Sequence, residues 1–154
     1  MKINDIIISV LLILIILKQL KYIKALIIPI KKRLIEIVVV LFGIIILIGI
    51  MYFYANTWIH YVIGMLCIFT FISSWIKGGI SSKGFISMYR YKEIILWNEI
   101  EKVQVTNSKD VKVKLFGGFM EQTFHFKTND YYKVINILKE KLPVEAELEI
   151  NNYK

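Results

Sequence analysis

Two different periodicities divide this chain: long unbroken apolar runs in the first half and short alternating ones in the second. Residues 34–54 hold one charge, Glu36, near their start; as a helix these 21 residues rise about 31 Å, the thickness of a bilayer's hydrocarbon core. After Ala55 and Asn56, residues 57–76 form a second run of 20 without Asp, Glu, Lys or Arg, so the pattern predicts a membrane hairpin. Tyr52, Tyr54, Trp58 and Tyr61 sit around its turn and Trp75 at its far end, where rings favour the headgroup level. The first run, residues 6–17, is shorter, but eleven of its twelve residues are Ile, Leu or Val. At about 0.3 to 0.6 kcal/mol each, they favour insertion by roughly 3 to 7 kcal/mol. Ile3 and Leu20 extend the run and Lys18 and Lys21 can snorkel, predicting a retained span over about 3–20. A cleaved signal peptide is the rival, but no small-residue cleavage site follows the run. The stretch ALIIPI, residues 25–30, is too short to cross and reads as interfacial.

From Lys77 the pattern changes. Short strands are expected on either side of a turn or bulge at Gly84, in EIILW after RYK, in EKVQVT, in VKVKLF and in FMEQTFHFK, with turns at NSKD and at Gly117–Gly118. In VKVKLF, Val111, Val113 and Leu115 share one face and Lys112 and Lys114 the other; Phe124 and Phe126 likewise oppose Thr123, His125 and Lys127. A helix capped by Thr128 or Asn129 follows, with Tyr131, Val134, Ile135, Leu138 and Leu142 on its apolar side and Pro143 as its stop. The acidic, alternating tail after Pro143 fits an edge strand or a solvated extension. The fold class expected is three transmembrane helices over residues 1–76, then an α+β domain over 77–154 made of an antiparallel curled sheet with one C-terminal helix.

The segments GISSKGFI, IILWNEIEKVQV and VINILKEKL resemble a bacterial pleckstrin-homology-like (PH-like) domain, of the kind that follows transmembrane helices in small membrane proteins of Gram-positive bacteria. The residues that carry the resemblance are Gly79, Gly84, Trp97, Glu99 and Ile100. Trp97 would close one end of the sheet, and the Asn98–Glu99 corner would turn Ile100 back into the core. The resemblance implies seven strands, against six read from the sequence.

Charge adds orientation. The chain of 154 residues carries a net charge of +8, with 56% hydrophobic residues and a mean hydropathy of +0.58. Six of the seven basic residues before Lys77 lie between Lys18 and Arg33, whereas the hairpin turn has no Lys or Arg. This concentration marks a cytoplasmic loop, not a nucleic-acid site, and would leave the C-terminal domain in the cytoplasm of a multi-pass cell-membrane protein. Glu36 would pair at the interface with Lys31, Lys32 and Arg33.

No catalytic, cofactor-binding or metal-ligating constellation is present: there is no phosphate loop and no His/Cys/Asp cluster at ligand spacing. His60 and His125 read as surface residues and Cys67 as a packing residue. Lys112, Lys114 and Lys127 share the outer sheet face and are the candidate lipid or partner contacts. The function expected is non-enzymatic: a membrane-held PH-like module that contacts a protein partner, or itself, at the inner membrane face. Alternatives are an anionic-lipid-binding module and, implied by the resemblance alone, an accessory protein for immunity to or export of a membrane-active peptide.

Overall fold

The computed structural model describes residues 3–87, 93–118 and 121–152; the RYK stretch before EIILW and the start of the expected FMEQTFHFK strand lie outside them. The chain divides into two compact units, one of Met1–Lys24 with Lys32–Lys77 and one of Ala25–Lys31 with Gly78–Lys154.

The first unit is three helices, α1 (Ile3–Lys24), α2 (Leu34–Tyr54) and α3 (Trp58–Ile76), each long and apolar enough to cross a membrane. Helix α1 recruits residues on both sides of its apolar run, reaching 22 residues and about 33 Å. Gln19 Nε2 donates to Ser74 Oγ at 3.3 Å, while Ile6 and Val10 share a groove with Ile59 and Val62, so α1 and α3 run parallel. Hydroxyls on these helices turn back on their own backbone: Ser9 Oγ donates to the Asp5 carbonyl, Thr70 Oγ1 to Leu66 and Ser73 Oγ to Phe69. That satisfies polar groups where a bilayer offers no water. Most apolar side chains of the unit, including Leu34, Val38, Phe42 and Ile45, are exposed, as a lipid-facing surface requires. Three such helices are consistent with a multi-pass membrane protein.

Among the described residues the second unit holds eight strands and one α-helix. Strands β1 (Leu26–Pro29), β2 (Gly79–Ser81), β3 (Gly84–Ile86) and β4 (Ile94–Leu96) form one antiparallel sheet in that order. Strands β5 (Ile100–Asn107), β6 (Val111–Gly117), β7 (Gln122–Phe126) and β8 (Glu147–Asn152) form a second, ordered β7-β6-β5-β8. Helix α4 (Tyr131–Lys141) packs Val134, Ile135 and Leu138 into a core shared by both sheets. Phe85 of the first sheet meets Phe124 of the second with ring centroids 5.1 Å apart.

Several sequence expectations are corrected here. The segment expected as an interfacial stretch is β1, with Ile28 buried in the core. Pro29 is tolerated because β1 is an edge strand, where a missing N–H breaks no ladder. In place of one antiparallel sheet there are two, and the second is mixed, since β8 pairs parallel with β5. Helix α4 makes this possible as the crossover that brings the chain back in the same direction. Gly117–Gly118 is not a two-residue turn: Gly117 still pairs with Ile100, and Leu115 faces Gln122, so the connection is longer. Finally, α4 begins after a 3-10 turn over Thr128–Asp130, and Thr128 Oγ1 donates to the Lys109 carbonyl and does not cap the helix.

The glycine and tryptophan positions follow from backbone geometry. Gly84 sits between β2 and β4 at φ +149°, and a Cβ there would lie 1.9 Å from the Ile95 carbonyl oxygen. Gly79, at φ +154°, lets the Ile28 carbonyl approach to 2.3 Å of where a Cβ would be. At the junction of the sheets, residues Trp97–Glu99 form a 3-10 turn. The Trp97 ring packs edge-on against Phe85 at 5.3 Å and its Nε1 donates to the Ser82 carbonyl. Glu99 Oε2 accepts the Leu96 N–H at 3.1 Å, and Ile100 re-enters the core at 3% exposure.

Candidate interaction surface

The strand alternation that buries Val103, Val105, Val111, Val113, Leu115, Phe124 and Phe126 puts the opposite residues on one outer face. In register across it run Glu149, Gln104, Lys114 and Thr123 in one row, and Asn151, Thr106, Lys112 and His125 in the next. Lys112, Lys114 and Lys127 are exposed, with Lys127 just past the end of β7. The first two lie on one strand, and Lys114 has an acidic partner on the face. Lys114 Nζ lies 3.1 Å from Glu121 Oε1. Lys102, not singled out from the sequence, holds two carboxylates, Glu147 at 3.0 Å and Glu149 at 2.5 Å. Gln104 Nε2 adds a bond to Glu149 Oε2 at 2.7 Å. The hydrogen bonds from Lys102 and Gln104 hold the Glu149 carboxyl below its ordinary range, and Glu149, then Glu147, hold the Lys102 ammonium above its own. The only trace of this cluster in the sequence is the Glu-x-Glu alternation of the tail, which specifies no partner.

A second cluster anchors β1. Lys31 donates its backbone N–H to the His125 carbonyl at 2.7 Å, and its Nζ to Asp110 Oδ1 at 2.7 Å. His125 Nδ1 stands 3.3 Å from Asp110 Oδ2. His125 is therefore half-buried and engaged, not the bare surface histidine expected, because Asp110 at the β5–β6 turn reaches back over β7. Lys31 is likewise taken by Asp110, while Glu36 acts electrostatically on Lys32. Lys32 Nζ lies 5.0 Å over the Trp75 ring and donates to the Trp75 carbonyl. Burial lowers the pKa of this ammonium, and Glu36 opposes the shift. His60 accepts the Asn56 N–H at its Nδ1, tightening the α2–α3 turn.

The hydrogen bond from Lys31, helped by His125, lowers the Asp110 pKa. A carboxyl whose folded pKa lies below its unfolded value of about 3.9 contributes stability above that pH and loses it as the pH falls through the folded value. Asp110→Asn is therefore expected to destabilise the protein at pH 7 by up to about 1 kcal/mol, as for a surface ion pair, and much less near pH 3. Chemical unfolding at the two pH values checks this; an unchanged difference would assign Asp110 no electrostatic role.

Among the described residues, no group of three or more His, Cys, Asp or Glu could hold a metal ion. Two apolar grooves, of about 900 and 340 Å³, lie within the helical unit and are bordered by His60, the larger also by Asp5 and the smaller by Cys67.

A family model described as Bacterial PH domain matches residues 22–153. The chain belongs to the bacterial PH domain family. The match starts just ahead of β1 and runs into β8, so it spans both strands that complete the sheets around the six legible in the sequence. No curated protein and no solved structure matches the chain. Bacterial PH domains are non-catalytic adaptor modules, and this chain combines one with three helices apolar enough to cross a membrane, a combination that suggests a membrane-associated interaction module.

Proposed function

We propose that this bacterial PH domain protein holds a protein partner at the cytoplasmic face of the cell membrane. The observation that carries the reading is connectivity. Strand β1 is threaded between α1 and α2, and β2 follows α3, so three junctions in the chain join the sheet unit to the apolar helices. Such a module cannot leave the bilayer surface, and its binding acts where the membrane is. The basic residues between Lys18 and Arg33 flank two of these junctions, and the α2–α3 turn lacks Lys and Arg, which supports a cytoplasmic location.

The outer face of the β5–β8 sheet, with Lys112, Lys114 and Lys127, is the contact surface in this reading. Its lysines are interleaved with Glu121, Glu147 and Glu149, so its pull on anionic headgroups is weak and a protein of mixed charge is the better complement. A photo-crosslinking amino acid placed at Lys112 or Thr123 in living cells should give discrete protein adducts. A C-terminal reporter should be active only in the cytoplasm. Absence of adducts at both positions, with the protein correctly inserted, would refute the assignment of this face.

A further inference from the structure

Strand β8 is attached in an unusual way. It is the last strand, it pairs in parallel, and it runs in register with β5 from Lys102↔Glu147 to Asn107↔Asn152. Leu148 packs against the core as a partly buried side chain, while Ile150 is 37% exposed. Its remaining grip is the ladder plus the Lys102 and Gln104 contacts to Glu147 and Glu149 at the surface. Such an element opens before the rest of the fold does. The hinge before it, residues 143–146, follows Leu142, which packs on the core; it carries one turn bond, from the Ala146 N–H to the Pro143 carbonyl, and a fully exposed Val144. When β8 leaves, it uncovers an edge of β5 whose specificity is already defined. That edge takes a parallel strand reading Glu, aliphatic, Glu, with Lys102 and Gln104 holding the carboxylates and the core flank against which Leu148 packs accepting the aliphatic residue.

We propose that the β5 edge is a strand-acceptor site filled by the Glu147–Asn152 strand of a second copy, so that two molecules exchange tails. The tail of another copy meets the chemistry of the site by identity. Reciprocal exchange keeps every β5–β8 contact and changes only the hinge, which makes it a low-barrier route to a symmetric pair. Confinement to a membrane raises the local concentration that exchange needs. The inference rests on the reading of this protein as an interaction module and names one partner for it.

Thr106 and Asn151 are register partners on β5 and β8 and supply the test in the full chain, in isolated membranes, with Cys67→Ser removing the native thiol. A chain carrying both Thr106→Cys and Asn151→Cys should form a disulfide on mild oxidation, largely as a covalent dimer. Two differently tagged chains, one with Thr106→Cys and the other with Asn151→Cys, should form a mixed disulfide at about ten times the yield of Thr106→Cys with Lys139→Cys, reflecting site-directed over collisional pairing. Lys102→Glu should abolish the mixed product, and Glu147→Lys with Glu149→Lys on the partner chain should restore it. If the double-cysteine chain closes only on itself and the mixed pair matches the mismatched control, exchange is overturned. If the double-cysteine chain forms no disulfide, the β5–β8 pairing itself fails and the proposal with it. In either case adducts with other proteins from the outer sheet face would survive, so the general reading is judged separately.

Discussion

Gly84→Val is expected to destroy the first sheet, at a cost of about 3 kcal/mol or more, from positive φ in a β-branched residue combined with backbone overlap. At φ +149° with the Ile95 carbonyl oxygen 1.9 Å from the Cβ position, valine meets backbone on the adjacent strand and not a side chain that could turn aside. Strand β4 must move away, and with it Ile95 and the Trp97–Glu99 turn that leads into β5. Since a domain of this size is stable by only about 5 to 15 kcal/mol, the variant should be cleaved within β2–β4 by protease concentrations that spare the parent protein. Gly49→Ala is the matched control. It lies on α2 with nothing within 4 Å of its Cβ position, and alanine is the better helix former, so no loss is expected. Protection of Gly84→Val equal to that of Gly49→Ala would mean that β3 and β4 do not pair as described.

The parts legible in the sequence are those whose physics is local. Residues 34–54 had to span because no soluble fold buries so much unbroken hydrocarbon, and 57–76 had to return because only a short turn separates them. The alternation around Val111, Val113 and Leu115 placed each side chain on its observed face, and Val134, Ile135 and Leu138 gave the buried side of α4. What could not be read depends on distant partners. ALIIPI has apolar residues with no clear period, and only pairing with Gly79–Ser81, about fifty residues later across a membrane hairpin, decides that it is a strand. The tail's alternation showed which residues share a side, while its parallel direction is set by α4 as a crossover. His125 looked exposed by alternation and is instead engaged by Asp110 from another turn. Lys102 has nothing in its neighbourhood that foretells two carboxylates from residues more than forty positions away. The candidate lysines were found by sharing a face, and the glutamates among them came into view only with the register.

Ile28→Asp is expected to unfold the sheet unit although Ile28 precedes the membrane hairpin in the chain. Ile28 is 2% exposed and belongs to the same core as Ile80, Phe85 and Val134, so a carboxylate there has neither solvent nor a counter-charge. Ile28→Ala alone should cost about 2 to 5 kcal/mol, the range for emptying a buried aliphatic site. The neighbour Ile27 discriminates between the two readings of this stretch. Ile27 is 51% exposed and lies at the register irregularity between Leu26 and Ile28, and Ile27→Asp should change stability by no more than about 0.5 kcal/mol. A segment lying along the membrane surface would treat the two adjacent substitutions alike, since both would withdraw a similar apolar side chain from lipid. In the sheet only Ile28 is buried, and only its substitution should be felt. Hydrogen exchange over β2 and β3 in the three variants measures this directly: rapid exchange in Ile28→Asp, intermediate exchange in Ile28→Ala and parent-like protection in Ile27→Asp place β1 inside the sheet. Equal effects of the two aspartates would return residues 25–31 to the membrane surface, and would remove the chain connectivity on which the proposed anchoring of the module depends.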